Sequence, residues 1–375
     1  MTVVQERYRK AHIWHRPIQH KACWIYNGVV LLISVGLTAL ARAVPDFAEW
    51  YASHIYPIWV STLGRASGLL PFSLFEFLVI AVILYLLVGL VLLICHLIRR
   101  RMERSKTLRA AVRRVITLLT TVLLLFTFNG GINYSRTPFS ELNGFAVRGV
   151  SNSDLEKLSI LLRDQLITYA TECKTDETGC SILTCDVNAT AIQAMHTLGT
   201  EYSSLAGYYP NPKPVLCSLV LSYNNISGVY SPFTIEANYN RLITPYNIPL
   251  TVCHELSHLR GFMREDEANF IAYLACMVSD ESEFRYSGSM IAFLYVTNAL
   301  SGVNPELYSE LFTSLPKVVL NDYQANNAYW QQFATPIAEI ADKVNDAYLK
   351  ANAQEDGVKS YGRMVDLLVA YYLPE

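Results

Sequence analysis

The chain has 375 residues, of which 52% are hydrophobic and only 17% charged, with a net charge of −2. That balance argues against a wholly water-soluble chain and for a membrane protein of about two or three structural units. The small net charge averages very uneven segments and excludes no partner class by itself.

Three apolar runs lie in the first third of the chain. Residues 22–40 carry no charge and end just before Arg42. The run is longer than the apolar core of a secretory signal, so it reads as a retained anchor. Residues 72–98 are long enough to cross with tilt, with Glu76 as an interfacial end-of-helix carboxylate. The third run, 115–132, has a shorter strictly apolar core at 115–128. Its Thr117, Thr120, Thr121 and Thr127 can bond their hydroxyls within the helix. Basic residues set the orientation. Arg7, Arg9, Lys10, Arg16 and Lys21 precede the first run. The loop 99–114 carries Arg99, Arg100, Arg101, Arg104, Lys106, Arg109, Arg113 and Arg114 against a single acid, Glu103. Both segments are expected in the cytoplasm, so residues 133–375 are expected outside. The basic loop sits between two spans, so it reads as a topology signal and no nucleic-acid partner is expected. Residues 41–70 hold Trp50, Tyr51, Tyr56 and Trp59, as an interfacial outer loop would.

Residues 133–150 read as a linker. A helix then starts near Ser151, with Asn152 or Ser153 as cap and Leu155, Leu158, Leu161 and Leu162 at helical spacing. Cys173, Cys180, Cys185 and Cys217 allow two disulfides in an oxidising compartment, by any of three pairings. A second helix is expected at 187–205, where a lone His196 reads as an ordinary surface or core residue. Strand-like runs follow at 215–222 and 228–240.

The chemistry lies in 251–273, TVCHELSHLRGFMREDEANFIAY. His254 and His258 are four apart, so on a helix both imidazoles reach one ion. Zinc suits such a pair. Glu255, one position round the helix, can hold a water on that ion and act as general base. A catalytic zinc needs a third protein ligand and leaves its fourth position open. Gly261 can end the helix in a left-handed turn. Ala268, Ile271, Ala272 and Ala275 mark a second helix that opens with Glu265, Asp266 and Glu267. Glu265 and Glu267 stand about 200° apart on it, so only one can face the metal. Asn269 shares the Glu265 face and can hydrogen-bond a ligand. Cys253 and Cys276 read as buried thiols. Beyond the motif, 290–300 is apolar but too short to span. A long helix is expected at 321–352 and a last one at 358–373.

HExxH followed by E-x-x-A-N resembles the Glu-zincin metallopeptidases. The resemblance implies one zinc per chain held by His254, His258 and Glu265, with Glu255 as catalytic base. Asn269 stands where many of these families have Asp. The whole layout, including GVYSPFTIEANYN and DGVKSYGRMVDLL, also resembles domain-of-unknown-function family 3810, bacterial membrane-anchored HExxH proteins. From that likeness Tyr361 is expected to stabilise the oxyanion. In zincins a strand beside the metal helix pairs with the extended substrate. The segment 233–240 is the candidate edge strand, with Glu236 and Asn238 on one face toward substrate.

The expected architecture is an α-helical membrane anchor of three transmembrane helices (1–132), the linker, and a mainly α (α+β) zincin-like extracytoplasmic domain (151–375) with a small edge β-sheet. The expected function is hydrolysis of a peptide or protein substrate by a multi-pass protein of the bacterial cell membrane, with the lipid bilayer as its other partner. An intramembrane protease is a poor alternative, given the polar run Arg264-Glu265-Asp266-Glu267 and the distance of the motif from the last span. The rival reading is a non-catalytic zinc-binding membrane receptor or assembly factor, in which Cys253 or Cys276 would complete a closed site.

Overall fold

Three helices are long and apolar enough to cross a membrane: α1 (Pro17–Ala43), α2 (Leu74–Arg99) and α3 (Arg104–Phe126). The computed structural model describes residues 17–99, 103–352, 354, 357 and 363–374. The path of α3 continues through a π-turn at Thr127–Gly131 and a 3-10 turn at Ile132–Ser135. Leu84, Val88 and Leu92 of α2 are each more than half exposed, an apolar surface that suits lipid. Polar side chains join α1 to α3: the Thr120 hydroxyl donates to Asn27 Oδ1 (3.2 Å), and Cys23 meets Thr117.

The segment 41–70 is not a peripheral loop. It is helical almost throughout, in short turns that include π-segments at Tyr51–Ile55 and Val60–Gly64. Tyr51, Tyr56 and Val60 are buried. The expected linker is also packed, because Phe139 is buried among Tyr202, Phe262 and Phe270. One hydrophobic core therefore runs from Ala41 to Val369, across the boundary expected at 133.

The domain is built from α4 (Asn152–Ala170), α5 (Val187–Glu201), α6 (Ser218–Tyr223), α7 (Asn247–Leu259), α8 (Glu265–Met277), α9 (Ser282–Ser301), α10 (Pro305–Thr313), α11 (Lys317–Gln331), α12 (Pro336–Ala351) and α13 (Met364–Tyr372). Ser151, not Asn152 or Ser153, caps α4, and it forms a capping box with Asp154. The helix expected at 321–352 is two helices, because Pro336 restarts the chain as the first residue of α12. All eight cysteines are free thiols, so the expected disulfides do not form. Cys217 is held elsewhere, its backbone N–H donating to Glu76.

A three-stranded sheet has the order β1 (Lys213–Pro214), β3 (Glu236–Tyr239), β2 (Gly228–Ser231). β1 pairs parallel with β3 and β2 antiparallel. The strand expected at 215–222 is instead mostly α6. Its first N–H groups, at Leu216 and Cys217, are satisfied by the Glu76 carboxylate (2.9 and 2.7 Å). That partner comes from α2, so local pattern could not reveal it. The clamp is reciprocal: Glu236 of β3 accepts from Leu74 N (3.1 Å) and Phe75 N (2.8 Å) at the start of α2. Two buried carboxylates thus fasten the second span, Glu236 by capping the start of α2 and Glu76 by holding the backbone just ahead of α6.

Glu236→Ala removes the acceptor for two helix N-terminal donors and is expected to cost about 2 kcal/mol. Glu236→Gln, which keeps one acceptor oxygen, should cost less. Thermal unfolding of the full chain in detergent checks both; equal melting temperatures for wild type and Glu236→Ala would refute the clamp.

Candidate metal centre

α7 carries the HExxH residues, and Val252, Leu256 and Leu259 anchor its apolar side in the core. The helix ends at Gly261, whose φ of +87° is the left-handed turn that glycine adopts freely. The Phe262 N–H returns to Ser257 O (3.2 Å), closing the turn. A Cβ at Gly261 would press on Asn133, Arg136 and Tyr56. Arg136 pins this reversal: it donates to Arg260 O (3.1 Å), pairs with both Glu49 oxygens (3.1 and 2.9 Å), and lies 3.9 Å from the Phe262 ring centre. α8 then starts at Glu265, which faces back toward α7.

The donor atoms of His254, His258 and Glu265 lie within 4.8 Å of one another. Glu265 Oε2 is 3.2 Å from His254 Nε2 and 3.7 Å from His258 Nε2. Each Nδ1 is already engaged: His254 Nδ1 donates to Asn269 Oδ1 (2.8 Å) and His258 Nδ1 to Phe262 O (2.8 Å). Those bonds fix the tautomer that turns both Nε2 lone pairs toward one point. Glu265 Oε2 is buried with no hydrogen-bond partner, although it faces both rings. Three metal-ligating atoms thus converge on one point, a donor set that could hold a cation. Ligands at about 2.0–2.1 Å from a tetrahedral zinc stand about 3.3 Å apart, close to the spacing from Glu265 to the two imidazoles. The residues present fit zinc. The Glu265 carboxylate draws positive charge to this point, whether a proton or a metal cation. Burial works against a charged His258, yet Glu265 outweighs it and lifts the imidazole to about 9. Burial likewise opposes a charged Glu265, but the two histidines hold it well below the usual carboxylate range.

Glu255 lies beside this point. Burial pushes its carboxyl up to about 7, with His254 and His258 pulling the other way. Its Oε2 is buried and unpartnered, and its other contacts include the Tyr230 backbone. Gly228 makes room for it, since a Cβ there would collide with the Glu255 carboxylate. Glu267 faces away from the metal point. It is buried, pushed up to about 7 by burial, and accepts from Phe139 N (2.7 Å), so its role is in packing the linker. Asn269 is also held from behind, with Nδ2 donating to Tyr295 OH (3.5 Å). Cys253 and Cys276 are buried thiols joined by a hydrogen bond; neither belongs to the ligand group among the described residues.

These groups line a cleft of about 1200 Å³. One wall is Gly228, Val229 and Tyr230 of β2, whose outer edge has no strand partner among the described residues. The assignment of the edge strand to 233–240 is corrected here: β3 is central, and Glu236 and Asn238 are buried in it. Glu236 caps α2, and Asn238 Nδ2 donates to Val229 O (3.2 Å), so neither faces the cleft. Tyr361 lies outside the described residues. Sequence reasoning missed Tyr295, Tyr348 and Gly228 as cleft residues. Only Gly228, opening a strand-like run, carried a signal.

Residues 51–369 match the family described as "Protein of unknown function (DUF3810)". The chain belongs to that family. No curated protein and no solved structure matches it. The match begins at Tyr51 and so takes in most of the helical segment 45–68 together with α2 and α3.

The purified full chain is expected to hold about one zinc. Glu265→Ala should lose it, while Glu267→Gln should keep it. Asn269→Ala frees the His254 ring and is expected to weaken zinc binding about 10- to 100-fold. Elemental mass spectrometry and chelator competition measure each, and retention of full affinity in Glu265→Ala would refute the ligand assignment.

Proposed function

We propose that the chain is a membrane-anchored zinc metallopeptidase. The observation that carries this reading is the convergence of His254, His258 and Glu265 on one point, with Glu255 unpaired beside it and a free strand edge along the same cleft. Zinc bound there would polarise a scissile carbonyl and make water a nucleophile near neutral pH. Glu255 accepts the proton of the attacking water and returns it to the leaving amine, a task suited to a carboxylate raised by burial. The outer edge of β2 offers its backbone to an extended peptide, aligning the scissile bond above α7. Tyr295 and Tyr348 also line the cleft, and burial keeps both phenols protonated, so each can donate a hydrogen bond to developing negative charge. The pairing of Cys253 with Cys276 away from the ligands supports an open fourth position over the closed structural site.

The anchor reading extends this. α1, α2 and α3 cross the bacterial cell membrane, with the basic loop 99–114 in the cytoplasm and the catalytic domain outside.

Glu255→Gln is expected to keep zinc and lose hydrolysis of a mixed peptide library by about 10²- to 10⁴-fold. Gly228→Ala should also keep zinc while slowing turnover, because the added methyl displaces Glu255. Peptide products followed by mass spectrometry decide it; undiminished hydrolysis in Glu255→Gln would refute this mechanism.

A further inference from the structure

The cleft does not end within the domain. Phe126, Gly130 and Tyr134, all on the third span and its continuation, line it. Exposed Arg114 marks the basic end of that span. At 1.5 Å per residue, Phe126 lies about 18 Å and Gly130 about 24 Å along the helix from Arg114. A hydrocarbon layer is about 30 Å thick, so this wall of the cleft sits at the depth of lipid tails.

The adjoining wall, from α12, is mainly apolar and uncovered, with Asp342 and Asn345 as its polar members. Ile337, Ile340 and Val344 of α12 line the cleft and are 54%, 62% and 64% exposed. An apolar helix face of this size facing water would be a liability in a soluble domain. α12 is fastened to the span ends at its C-terminus: Tyr348 OH meets Tyr134 OH (2.9 Å), and Arg42 Nη2 donates to Ala351 O (2.6 Å). Near its other end, Asn225 beyond α6 donates to Asp342 (3.3 Å). α6 adds exposed Leu219 and Val220, and the residues that open it are bonded to Glu76 in the first turn of α2. The apolar rim therefore runs from the start of one span to the end of another.

We propose that the cleft opens onto the bilayer and takes its polypeptide from there: a stretch of a membrane-anchored protein directly adjoining its anchor. Apolar residues next to the anchor fill the α12 wall, while the more distal backbone reaches the edge of β2. That the captured polypeptide is cleaved rests on the peptidase reading; the route of access does not.

The test reads access and occupancy without catalysis. The full chain carrying Glu255→Gln is placed in vesicles of phosphatidylethanolamine and phosphatidylglycerol that include a phospholipid with an acyl-chain diazirine. Photolabelled residues are mapped by mass spectrometry. Labels are expected on α12 as well as on the spans, and Val344→Asp should lower labelling at Ile337 about tenfold, as a charge in the apolar phase demands. A mixed-sequence peptide joined to an apolar span of about 20 residues is then added. It should displace the α12 label about tenfold better than the same peptide without the span, because tethering raises its effective concentration. Labels confined to the spans, or equal competition by both peptides, would overturn the proposal. Zinc and hydrolysis are not read, so a failed peptidase assignment leaves either result standing.

Discussion

Two imidazole nitrogens and one carboxylate oxygen are buried facing a single point, and the carboxylate oxygen there lacks a hydrogen bond of good geometry. Proteins bury such donors together only when a positive charge completes the set. Much of the domain serves this constraint. α7 supplies two donors at helical spacing, the Gly261 turn brings α8 back, and Asn269 and the Phe262 carbonyl hold the rings in one tautomer.

The membrane anchor is part of the same mechanical unit. Glu49, at the end of the first span's extension, holds Arg136, and Arg136 holds the carbonyl end of α7. Glu76 and Glu236 lock α2 to the sheet whose edge lines the cleft. The site is thus fixed at a set height and angle relative to the spans, and is not a domain on a tether.

The three spans, the two motif helices and the Gly261 turn were legible because each rests on local pattern: apolar length, four-residue spacing, a glycine where φ must be positive. What failed depended on partners distant in the chain. The apolar run at 215–222 looked like a strand, but Glu76, some 140 residues upstream, holds the backbone of Leu216 and Cys217 where the helix begins. The run 228–240 was read as one strand; it is a hairpin, so the edge facing the cleft is β2 and not the segment nearer the motif. The aromatics of 41–70 looked interfacial, and several are core, because π-turns rotate Tyr51 and Tyr56 inward. Glu267 and Glu265 could be separated by helix angle but not assigned without the return path of the chain.

The most direct measurement is zinc K-edge X-ray absorption on the full chain in detergent. The account predicts a first shell of nitrogen and oxygen only, at about 2.0–2.1 Å, with imidazole scattering beyond it. A sulfur shell at about 2.3 Å would bring Cys253 or Cys276 into a closed structural site and contradict the account.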